Sequence, residues 1–449
     1  MLRSSVVVLA LLCSPGAAAA ATVSVGQKED VFGATFKFAG RPGEASTTRF
    51  AIGPKSIAVS DSSADLVAGH GCVAQDARHV VCRSRRSSEW TSTLRLGDSD
   101  DSAAVVAVGR SSGGRVIVYG GRGDDRINAA RVSQYGFFYG GPGNDTILGT
   151  SDGDVLAGGA GRDSLHGRAG ADSLHPDAAG TDAGDDFIDG GAGEDSVTYA
   201  GRTRSVLVDL RRAAPQGAAS ERDTFVGIED ATGGAGDDVL LGNNGDNDLD
   251  GSRGRDRVEG FGGDDRVWGR GGGPDQLVGG DGADVVIADG GGTGTGGPGD
   301  DEVSGRGATL SGGIGDDAFA AVGGTVACNE GDDSVSLEEP VSTLLQPGCE
   351  SLTLGGAQVF FVSGLPQREE PGVRVRISCD DEDGSVGLCK GRFAVEVNSQ
   401  VVAEAAYNVS GGRSKTLHAP FSAGGAEALG PDLRRVRVSF GSYAFEIFL

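Results

Sequence analysis

Residues 140–175 read GGPGNDTIL, GTSDGDVLA, GGAGRDSLH and GRAGADSLH when the sequence is divided every nine residues. Glycine returns at the start of each segment, aspartate at the sixth position and an aliphatic residue at the eighth. The apolar residues do not recur at the three- to four-residue spacing of an amphipathic helix. A fixed period of nine instead predicts a repeated turn-and-strand unit, each copy of which adds a layer to a stack.

The pattern Gly-Gly-x-Gly-x-Asp-x-aliphatic-x occurs sixteen times along the chain. The units begin at residues 120, 140, 149, 158, 167, 181, 190, 233, 242, 251, 260, 270, 279, 296, 312 and 328. The fourth position is glycine in all units except one, which has Asp152, and the sixth is aspartate in all except one, which has Asn247. The eighth position is apolar in every unit. Agreement at three positions cannot come from the glycine-rich composition alone.

Each unit contains the residues that a turn followed by a short strand requires. Glycines at positions one, two and four allow backbone conformations with positive φ. The triplet Thr146, Ile147 and Leu148 is typical of positions seven to nine, and it predicts a three-residue strand with the central side chain pointing inward. Because one unit cannot bury its own apolar face, several units must stack.

These units resemble the nonapeptide of the RTX, or hemolysin-type calcium-binding, repeat family. The resemblance covers residues 120–336, about half of the chain. It implies a right-handed parallel β-roll in which two nonapeptides make one turn of the coil. The expected fold class is therefore all-β, with this β-roll between a β-rich N-terminal cap and a small C-terminal antiparallel β-sandwich.

The resemblance also implies that the sixth-position aspartates bind calcium, together with backbone carbonyls of the turns. The side-chain ligands carried over in this way are Asp125, Asp145, Asp154, Asp163, Asp172, Asp186, Asp195, Asp238, Asp256, Asp265, Asp275, Asp284, Asp301, Asp317 and Asp333. Asn247 supplies an oxygen without charge. The units that begin at 120, 296, 312 and 328 have no adjacent repeat, so the sequence leaves open whether they share an ion with a partner turn. The alternative role of all these side chains is to cap turns through Asx-type hydrogen bonds.

Calcium suits such turns because it takes six to eight oxygen ligands at roughly 2.3–2.6 Å. Magnesium is disfavoured because it demands tighter octahedral geometry and retains its waters. Without an ion, stacked aspartates repel one another and the backbone entropy of glycine opposes order. We therefore expect the array to be loose when calcium is scarce and to fold when calcium binds.

Negative charge is concentrated in the repeats. Residues 113–336 contain 40 acidic residues and 17 arginines, and this difference accounts for nearly all of the chain's formal net charge of -25. Such a segment repels nucleic acid and anionic membranes and attracts cations. The expected partners are therefore calcium ions and not nucleic acid.

The first residues have the features of a secretory signal peptide. Arg3 precedes a short apolar run at residues 6–12, which is too brief to span a bilayer, and small residues follow it. We assign residues 1–21 to this signal peptide and expect a secreted, extracellular protein without a transmembrane segment. Cys13 raises the alternative of a lipoprotein, although the three residues before it fit a lipobox poorly.

Six cysteines follow the predicted signal peptide, and an even number in a secreted chain predicts disulfides. Fifteen pairings are possible in principle. The pairing of neighbours in sequence is favoured because each pair then lies within one proposed region: Cys72 with Cys82, Cys328 with Cys349, and Cys379 with Cys389. A zinc site is less favoured, because no Cys-x-x-Cys occurs.

The regions beside the array have their own patterns. The tract LGDSDD at residues 96–101 looks like a degenerate repeat, and the non-repeat insertion at 199–232 is expected to continue the coil. The predicted division is a signal peptide at 1–21, an N-terminal cap at 22–112, the β-roll at 113–336, a closing edge and linker at 337–371, and a C-terminal sandwich-like domain at 372–449.

No catalytic constellation emerges from the sequence. His-Glu-x-x-His does not occur, and the Gly-x-Ser-x-Gly match at residues 149–153, which includes Ser151, falls inside a repeat turn, where a nucleophile elbow would need a strand before it and a helix after it. The sequence therefore favours a non-enzymatic, calcium-binding protein with a structural or adhesive role. The alternatives are a secreted hydrolase whose catalytic domain is one flank, and a carbohydrate- or surface-binding module on a calcium-stiffened stalk.

Overall fold

The computed structural model describes residues 21–26, 34–40, 43–53, 56–69, 72–83, 90–107, 114–177, 184–212, 216–218, 221–337, 343–345, 349–354, 357–361, 372–379, 388–397, 400–410, 413–420, 435–440 and 443–448, with the backbone alone after Ser336. The chain divides into two compact units, residues 1–172 and 173–449. The described part of both units contains strands and no helix. It therefore contains no helix long and apolar enough to cross a membrane.

The strands of the first unit are β1 (Ala21–Gly26), β2 (Ala34–Ala39), β3 (Thr47–Ile52), β4 (Ser56–Asp61), β5 (Leu66–Ala68), β6 (Cys72–Asp76), β7 (His79–Arg83), β8 (Trp90–Gly97), β9 (Ser102–Ala107), β10 (Gly114–Gly121), β11 (Arg126–Arg131), β12 (Gly136–Pro142), β13 (Thr146–Leu148), β14 (Val155–Ala160) and β15 (Ser164–Ala169).

From β8 onward, successive strands of the first unit alternate between two parallel sheets. One sheet pairs β8, β10, β12 and β14, and the other pairs β9, β11, β13 and β15. Ile147 lies in register with Ile127 of the preceding turn of the coil and with Leu165 of the following one. One turn of the coil therefore uses two nonapeptides, and the predicted parallel β-roll is confirmed.

The coil begins upstream of the first repeat. β2 pairs in parallel with β8, and β3 pairs in parallel with β9. Antiparallel pairs surround this start, namely β1 with β2, β3 with β4, β4 with β7 and β6 with β7. In the last pair Cys72 lies opposite Cys82, and the two form the predicted disulfide with their Cα atoms 4.0 Å apart.

The strands of the second unit up to Leu337 are β16 (Ser173–Asp177), β17 (Phe187–Ala192), β18 (Ser196–Thr198), β19 (Val206–Asp209), β20 (Gly217–Ala218), β21 (Thr224–Val226), β22 (Asp230–Thr232), β23 (Val239–Leu241), β24 (Asp248–Asp250), β25 (Arg257–Gly262), β26 (Arg266–Arg270), β27 (Gln276–Asp281), β28 (Val285–Asp289), β29 (Thr293–Pro298), β30 (Glu302–Arg306), β31 (Thr309–Ile314), β32 (Ala318–Val322), β33 (Gly324–Glu330) and β34 (Asp333–Leu337).

The second unit repeats the coiled arrangement. One parallel sheet runs from β16 and β18 through β22 and the even-numbered strands to β34, and another runs from β19 and β23 through the odd-numbered strands to β33. The insertion continues the coil, as expected, because Phe225 of β21 lies in register with Ile188 and Ala231 of β22 lies in register with Val197.

The remaining strands are β35 (Thr343–Leu345), β36 (Cys349–Leu354), β37 (Ala357–Phe361), β38 (Gly372–Cys379), β39 (Leu388–Val397), β40 (Gln400–Ser410), β41 (Arg413–Pro420), β42 (Arg435–Phe440) and β43 (Tyr443–Phe448). Antiparallel pairs join β36 with β37, β37 with β38, β38 with β41, β39 with β40 and with β42, and β42 with β43. The C-terminal β-sandwich stays a prediction.

The predicted signal peptide and two of the predicted disulfides involve residues or side chains that the structure does not describe. Residues 1–20 of the predicted signal peptide lie outside the described residues. Cys328 is disulfide-bonded. The side chains of its predicted partner Cys349 and of the predicted pair Cys379 and Cys389 lie outside the described side chains, so these two pairings stay predictions.

The core of the coil is a ladder of eighth-position side chains. Each of them is at most 2% exposed, because the central residue of every short strand points between the two sheets. They are Ile127, Ile147, Leu156, Leu165, Leu174, Ile188, Val197, Leu240, Leu249, Val258, Val267, Leu277, Val286, Val303, Phe319 and Val335. This ladder fixes the turn residues two positions earlier in every repeat.

Candidate metal centre

The sixth-position side chains end the turns and lie just ahead of the strands. Every one of them is at most 3% exposed: Asp125, Asp145, Asp154, Asp163, Asp172, Asp186, Asp195, Asp238, Asn247, Asp256, Asp265, Asp275, Asp284, Asp301, Asp317 and Asp333. Burial of so many carboxyl groups is unusual, because aspartate is rarely buried without a partner. The aspartates of this row therefore require a partner for their charge.

Successive turns are joined by one recurring hydrogen bond. The backbone N–H of Asp125 donates to Oδ1 of Asp145 at 2.7 Å, and the N–H of Asp145 donates to Oδ1 of Asp163 at 2.7 Å. In the same way the N–H of Asp154 donates to Oδ1 of Asp172 at 2.7 Å. Each carboxyl group is thereby held against the backbone of the preceding turn of the coil.

The units that are isolated in the sequence belong to the same ladder. The N–H of Asp284 donates to Oδ1 of Asp301 at 2.9 Å, that of Asp301 to Oδ1 of Asp317 at 3.0 Å, and that of Asp317 to Oδ1 of Asp333 at 2.8 Å. The unit that contains Asp125 is joined to the next one by the hydrogen bond from its N–H to Oδ1 of Asp145. All four units therefore have a partner turn, which the sequence had left open.

In a large group of these turns the second carboxyl oxygen, Oδ2, is buried and has no hydrogen-bond partner among the residues that the structure describes. The group consists of Asp125, Asp145, Asp256, Asp265, Asp275, Asp284, Asp301 and Asp317. A Cβ added to Gly140 would lie 2.2 Å from Oδ2 of Asp145 and 2.7 Å from the carbonyl oxygen of Gly158. The missing side chain of the first glycine thus leaves this carboxyl oxygen beside a backbone carbonyl of the next turn.

The protonation equilibrium of these carboxyl groups reflects their burial. Burial raises the pKa of Asp125, Asp145, Asp256, Asp265 and Asp301 to about 7, and neighbouring carboxylates add to the effect. An ionised carboxylate with an unpaired oxygen is costly in such a place, so it takes up a proton or a cation. The sites are built for a positive charge that the chain itself does not supply.

Three turns differ, because the side chain at position six caps its own turn. The backbone N–H of Thr150 donates to Oδ2 of Asp154 at 2.6 Å, and that of Gly234 donates to Oδ2 of Asp238 at 2.6 Å. Asn247 accepts from the N–H of Asn243 at 2.7 Å through Oδ1. The Asx-type capping role is therefore realised at these three positions.

The two capped aspartates also accept a hydrogen bond at their other carboxyl oxygen. Oδ1 of Asp154 accepts from the N–H of Gly136 at 2.6 Å, and Oδ1 of Asp238 accepts from the N–H of Val206 at 2.8 Å. Burial still raises the pKa of Asp154 and Asp238, but to about 6, because these N–H groups favour the ionised form.

The residues of the uncapped turns fit calcium. They offer only oxygen, from carboxylates and from backbone carbonyls of glycine-rich turns, and calcium is a hard cation that binds oxygen. Each such aspartate would hold the ion through the oxygen that lacks a hydrogen bond, and the ion would supply the missing positive charge. Asp163, Asp172, Asp186, Asp195 and Asp333 are buried at the same position of their turns, and their role as ligands stays a prediction.

A second, exposed row of side chains accompanies the buried one at position five. The N–H of Asn144 donates to Oδ1 of Asp124 at 2.7 Å, and the N–H of Asp124 donates to Oδ1 of Asp100 at 2.8 Å. The direction is opposite to that of the buried row, because here the later turn donates to the earlier side chain. These exposed side chains keep the turns in register without burying charge.

Three carboxyl residues that the sequence did not assign as ligands also occupy the buried row, although the tract that ends at Asp101 looks like a degenerate repeat. The N–H of Asp186 donates to Oδ1 of Asp223 at 2.9 Å, and that of Asp195 donates to Oε2 of Glu229 at 2.9 Å. Upstream, the N–H of Asp101 donates to Oδ1 of Asp125 at 2.8 Å. Asp223 has none of the motif's glycines ahead of it, whereas Asp101 and Glu229 keep one each, Gly97 and Gly227. All three keep one feature of the motif, which is an acidic residue two positions before a buried apolar side chain. A search for this spacing alone would have found them.

A further acidic cluster lies where the insertion joins the coil. Carboxylate oxygens of Asp177, Glu221 and Asp223 lie within 4.8 Å of one another, and this group could hold a metal ion. Nη2 of Arg202 lies 2.6 Å from Oδ2 of Asp177 and also pairs with Glu221. The hydroxyl of Tyr199 donates to Oδ2 of Asp223 at 2.6 Å. A metal ion here would have to displace the guanidinium, which already supplies positive charge.

The serine of the Gly-x-Ser-x-Gly match lies in one of the capped turns. The N–H of Ser151 donates to the carbonyl oxygen of Val132 at 3.2 Å, and the turn leads into β14 rather than into a helix. The surroundings of Ser151 are therefore those of a repeat turn.

Comparison with known proteins gives one family. The sequence model of the family described as RTX calcium-binding nonapeptide repeat (4 copies) matches residues 110–131, 139–175, 181–200, 223–258, 241–273 and 259–292. No curated protein matches the chain. The matched segments contain both uncapped and capped turns, including those of Asp145 and Asp154.

Proposed function

Because the repeats of this chain belong to the RTX calcium-binding nonapeptide family, we propose that the protein is secreted and that its coil completes its fold when calcium binds outside the cell. Its role there is structural or adhesive, with the calcium-loaded coil as a stiff element. Binding free energy then becomes folding free energy, because the unfolded chain does not hold the carboxyl groups together.

One observation carries this proposal. Oδ2 of Asp145 is buried without a hydrogen-bond partner, and the same holds for Asp265 and Asp301 in other turns. An unpaired buried carboxyl oxygen destabilises the ion-free fold. Calcium removes this cost at every occupied turn, so the stability of the coil depends on the free calcium concentration.

Two features support secretion. The sequence begins with a predicted signal peptide at residues 1–21. The disulfide between Cys72 and Cys82 is of the kind that persists in oxidising, extracellular surroundings. Calcium modules outside cells have dissociation constants on the order of 0.1–1 mM, which lets export itself trigger folding.

A calcium titration of the mature chain followed by far-UV circular dichroism tests the proposal. We expect a cooperative gain of β-structure at about 0.1–1 mM calcium and no such gain with magnesium. If a calcium-free sample has full β-structure and the same melting temperature as a loaded sample, the proposal is wrong.

We also propose that the role is not enzymatic. The support is local: Ser151 lies in a turn whose Thr150 hydroxyl and N–H both contact Asp154, and the turn leads into the strand β14, whereas a nucleophile elbow leads into a helix. Ester hydrolysis by the calcium-loaded protein should equal the background of a Ser151→Ala variant. Activity that disappears in this variant would contradict the proposal.

A further inference from the structure

The tract LGDSDD at residues 96–101 forms a turn that stacks on the first repeat turn. The backbone N–H of Asp101 donates to Oδ1 of Asp125 at 2.8 Å, and the N–H of Asp124 donates to Oδ1 of Asp100 at 2.8 Å. These two bonds are those that join consecutive repeat turns elsewhere in the coil. The tract lies before residue 110, where the family match begins.

The carboxyl group of Asp101 is buried and incompletely paired. Asp101 is 2% exposed, and its Oδ1 accepts from the N–H of Ser46 at 2.6 Å. Its Oδ2 is buried and has no hydrogen-bond partner within the described part of the chain. This is the same condition as that of Asp125, the next carboxyl group in the row.

Asp61, a nearby buried aspartate, provides a contrast. It is also 2% exposed, but its Oδ2 accepts from the hydroxyl of Thr48 at 2.9 Å. Its Oδ1 accepts from the N–H groups of Ser63 at 2.8 Å and Ala64 at 3.0 Å. Asp61 thus has the hydrogen bonds of a structural turn cap, whereas Asp101 leaves one oxygen without any.

We propose that Asp101 and Asp125 form a calcium site upstream of the repeat array, at the junction between the array and the N-terminal strands. This inference rests on the proposed calcium-dependent folding and extends it to a tract that lacks most of the motif's glycines. The two turns are in close backbone contact there, since a Cβ added to Gly121 would lie 1.6 Å from the carbonyl oxygen of Gly97. A hard divalent cation at this point finds two carboxyl oxygens and backbone carbonyls.

The site is the upstream end of the row. On the preceding turn the place of the sixth residue is taken by Ser46, which offers a backbone N–H to Asp101 but no carboxylate. Ser46 directly precedes β3, which pairs in parallel with β9. An ion held by Asp101 therefore stabilises the contact between β3 and the coil, and it makes the N-terminal region part of the calcium-dependent fold.

Counting bound calcium in full-length mature variants tests the site. Asp101→Asn keeps an oxygen for the N–H of Ser46 but removes the charge, and we expect it to bind about one ion fewer than the wild type in equilibrium dialysis with radioactive calcium. Asp98→Asn is the matched control, because Asp98 lies on the same turn but is exposed, and it should bind as many ions as the wild type. Asp145→Asn tests whether the repeat array itself binds calcium.

The outcomes separate this site from the proposed function. If Asp101→Asn binds as much calcium as the wild type while Asp145→Asn binds less, the upstream site does not exist. If neither variant loses calcium, the ladder does not bind the ion and the proposed function fails as well.

Hydrogen exchange of the wild type gives a second test that needs no variant. Calcium should slow amide exchange in residues 96–102 as well as in residues 140–175. Slower exchange in 140–175 with no change in 96–102 would overturn the proposed site and leave the repeat sites intact.

Discussion

The backbone N–H of Thr150 donates a 2.6 Å hydrogen bond to Oδ2 of Asp154, and this bond distinguishes a capped turn from an uncapped one. In the uncapped turn one repeat earlier, Gly141 at the same position has a φ of 121°, a conformation open to glycine, and Oδ2 of Asp145 has no partner. Thr150 does not have a positive φ, so its N–H faces the carboxyl group. The second position of each repeat therefore decides whether the aspartate caps its turn or is left for a cation.

The first prediction compares Asp145→Asn with Asp154→Asn. Asp145→Asn should weaken calcium binding, because it removes charge from an oxygen that has no other partner. Asp154→Asn should leave the number of bound ions unchanged but destabilise the calcium-loaded protein by about 1–3 kcal/mol, since the N–H groups of Thr150 and Gly136 then compete for one oxygen. Calcium dialysis and urea unfolding at saturating calcium measure the two effects. Equal loss of calcium in both variants would contradict the distinction between the turns.

The second prediction concerns the first glycine of a repeat. Gly140→Ala should lower calcium affinity and stability together, because its methyl group would lie 2.2 Å from Oδ2 of Asp145 and 2.7 Å from the backbone oxygen of Gly158. Gly262→Ala is the matched control: the nearest atom to its added Cβ lies at 3.7 Å, an ordinary contact. The calcium midpoint by circular dichroism should shift upward for Gly140→Ala alone. Equal midpoints for the two variants would show that the space beside Oδ2 is not used.

Much of this architecture could be predicted from the sequence, since the nine-residue period is imposed by the coil itself. The inward side chains, for example Ile147 and Leu165, follow directly from the eighth position. The capped turns could not be predicted, because capping depends on the sign of φ and not on residue type alone. Gly234 has the motif's glycine, yet it lacks a positive φ and its N–H caps Asp238.

The members of the row that lack the motif were hidden for a different reason. Asp223 and Glu229 enter it because β21 and β22 of the insertion pair in register with the strands of the repeats. Such register is decided by which apolar side chains, among them Phe225 and Ala231, fill the space between the sheets. The glycines of the motif shape the turn, but they are not needed to bring an acid into the ladder.

The third prediction concerns the core ladder. Leu165 is fully buried between the sheets, and Leu165→Ala should lower the free energy of unfolding of the calcium-loaded protein by about 2–5 kcal/mol. Ser164→Ala, one position earlier in the same strand, should change it by less than about 0.5 kcal/mol, because Ser164 is outside this core. Urea unfolding at saturating calcium compares the two variants. A cost for Leu165→Ala as small as that of Ser164→Ala would mean that the sheets do not pack on this ladder.

The last prediction is a pH dependence that calcium suppresses. Burial raises the pKa of Asp125, Asp145 and Asp265 from 3.8 to about 7, so between these values the folded calcium-free protein holds protons that the unfolded chain has released. The melting temperature of the calcium-free protein should therefore fall as the pH rises from about 4 to about 7. At saturating calcium it should change little over this range, because the calcium-bound carboxylates hold no protons in the folded state and the unfolded chain has already released its own.

Scanning calorimetry at a series of pH values, with and without calcium, tests both expectations. A variant with Asn at 125, 145 and 265 is the control, because it lacks three of the shifted carboxyl groups and should show a flatter dependence without calcium. A melting temperature of the calcium-free wild type that rises between pH 4 and 7 would mean that these carboxyl groups are ionised and paired in the fold. They would then keep their charge through hydrogen bonds or ion pairs of the fold and would not need calcium.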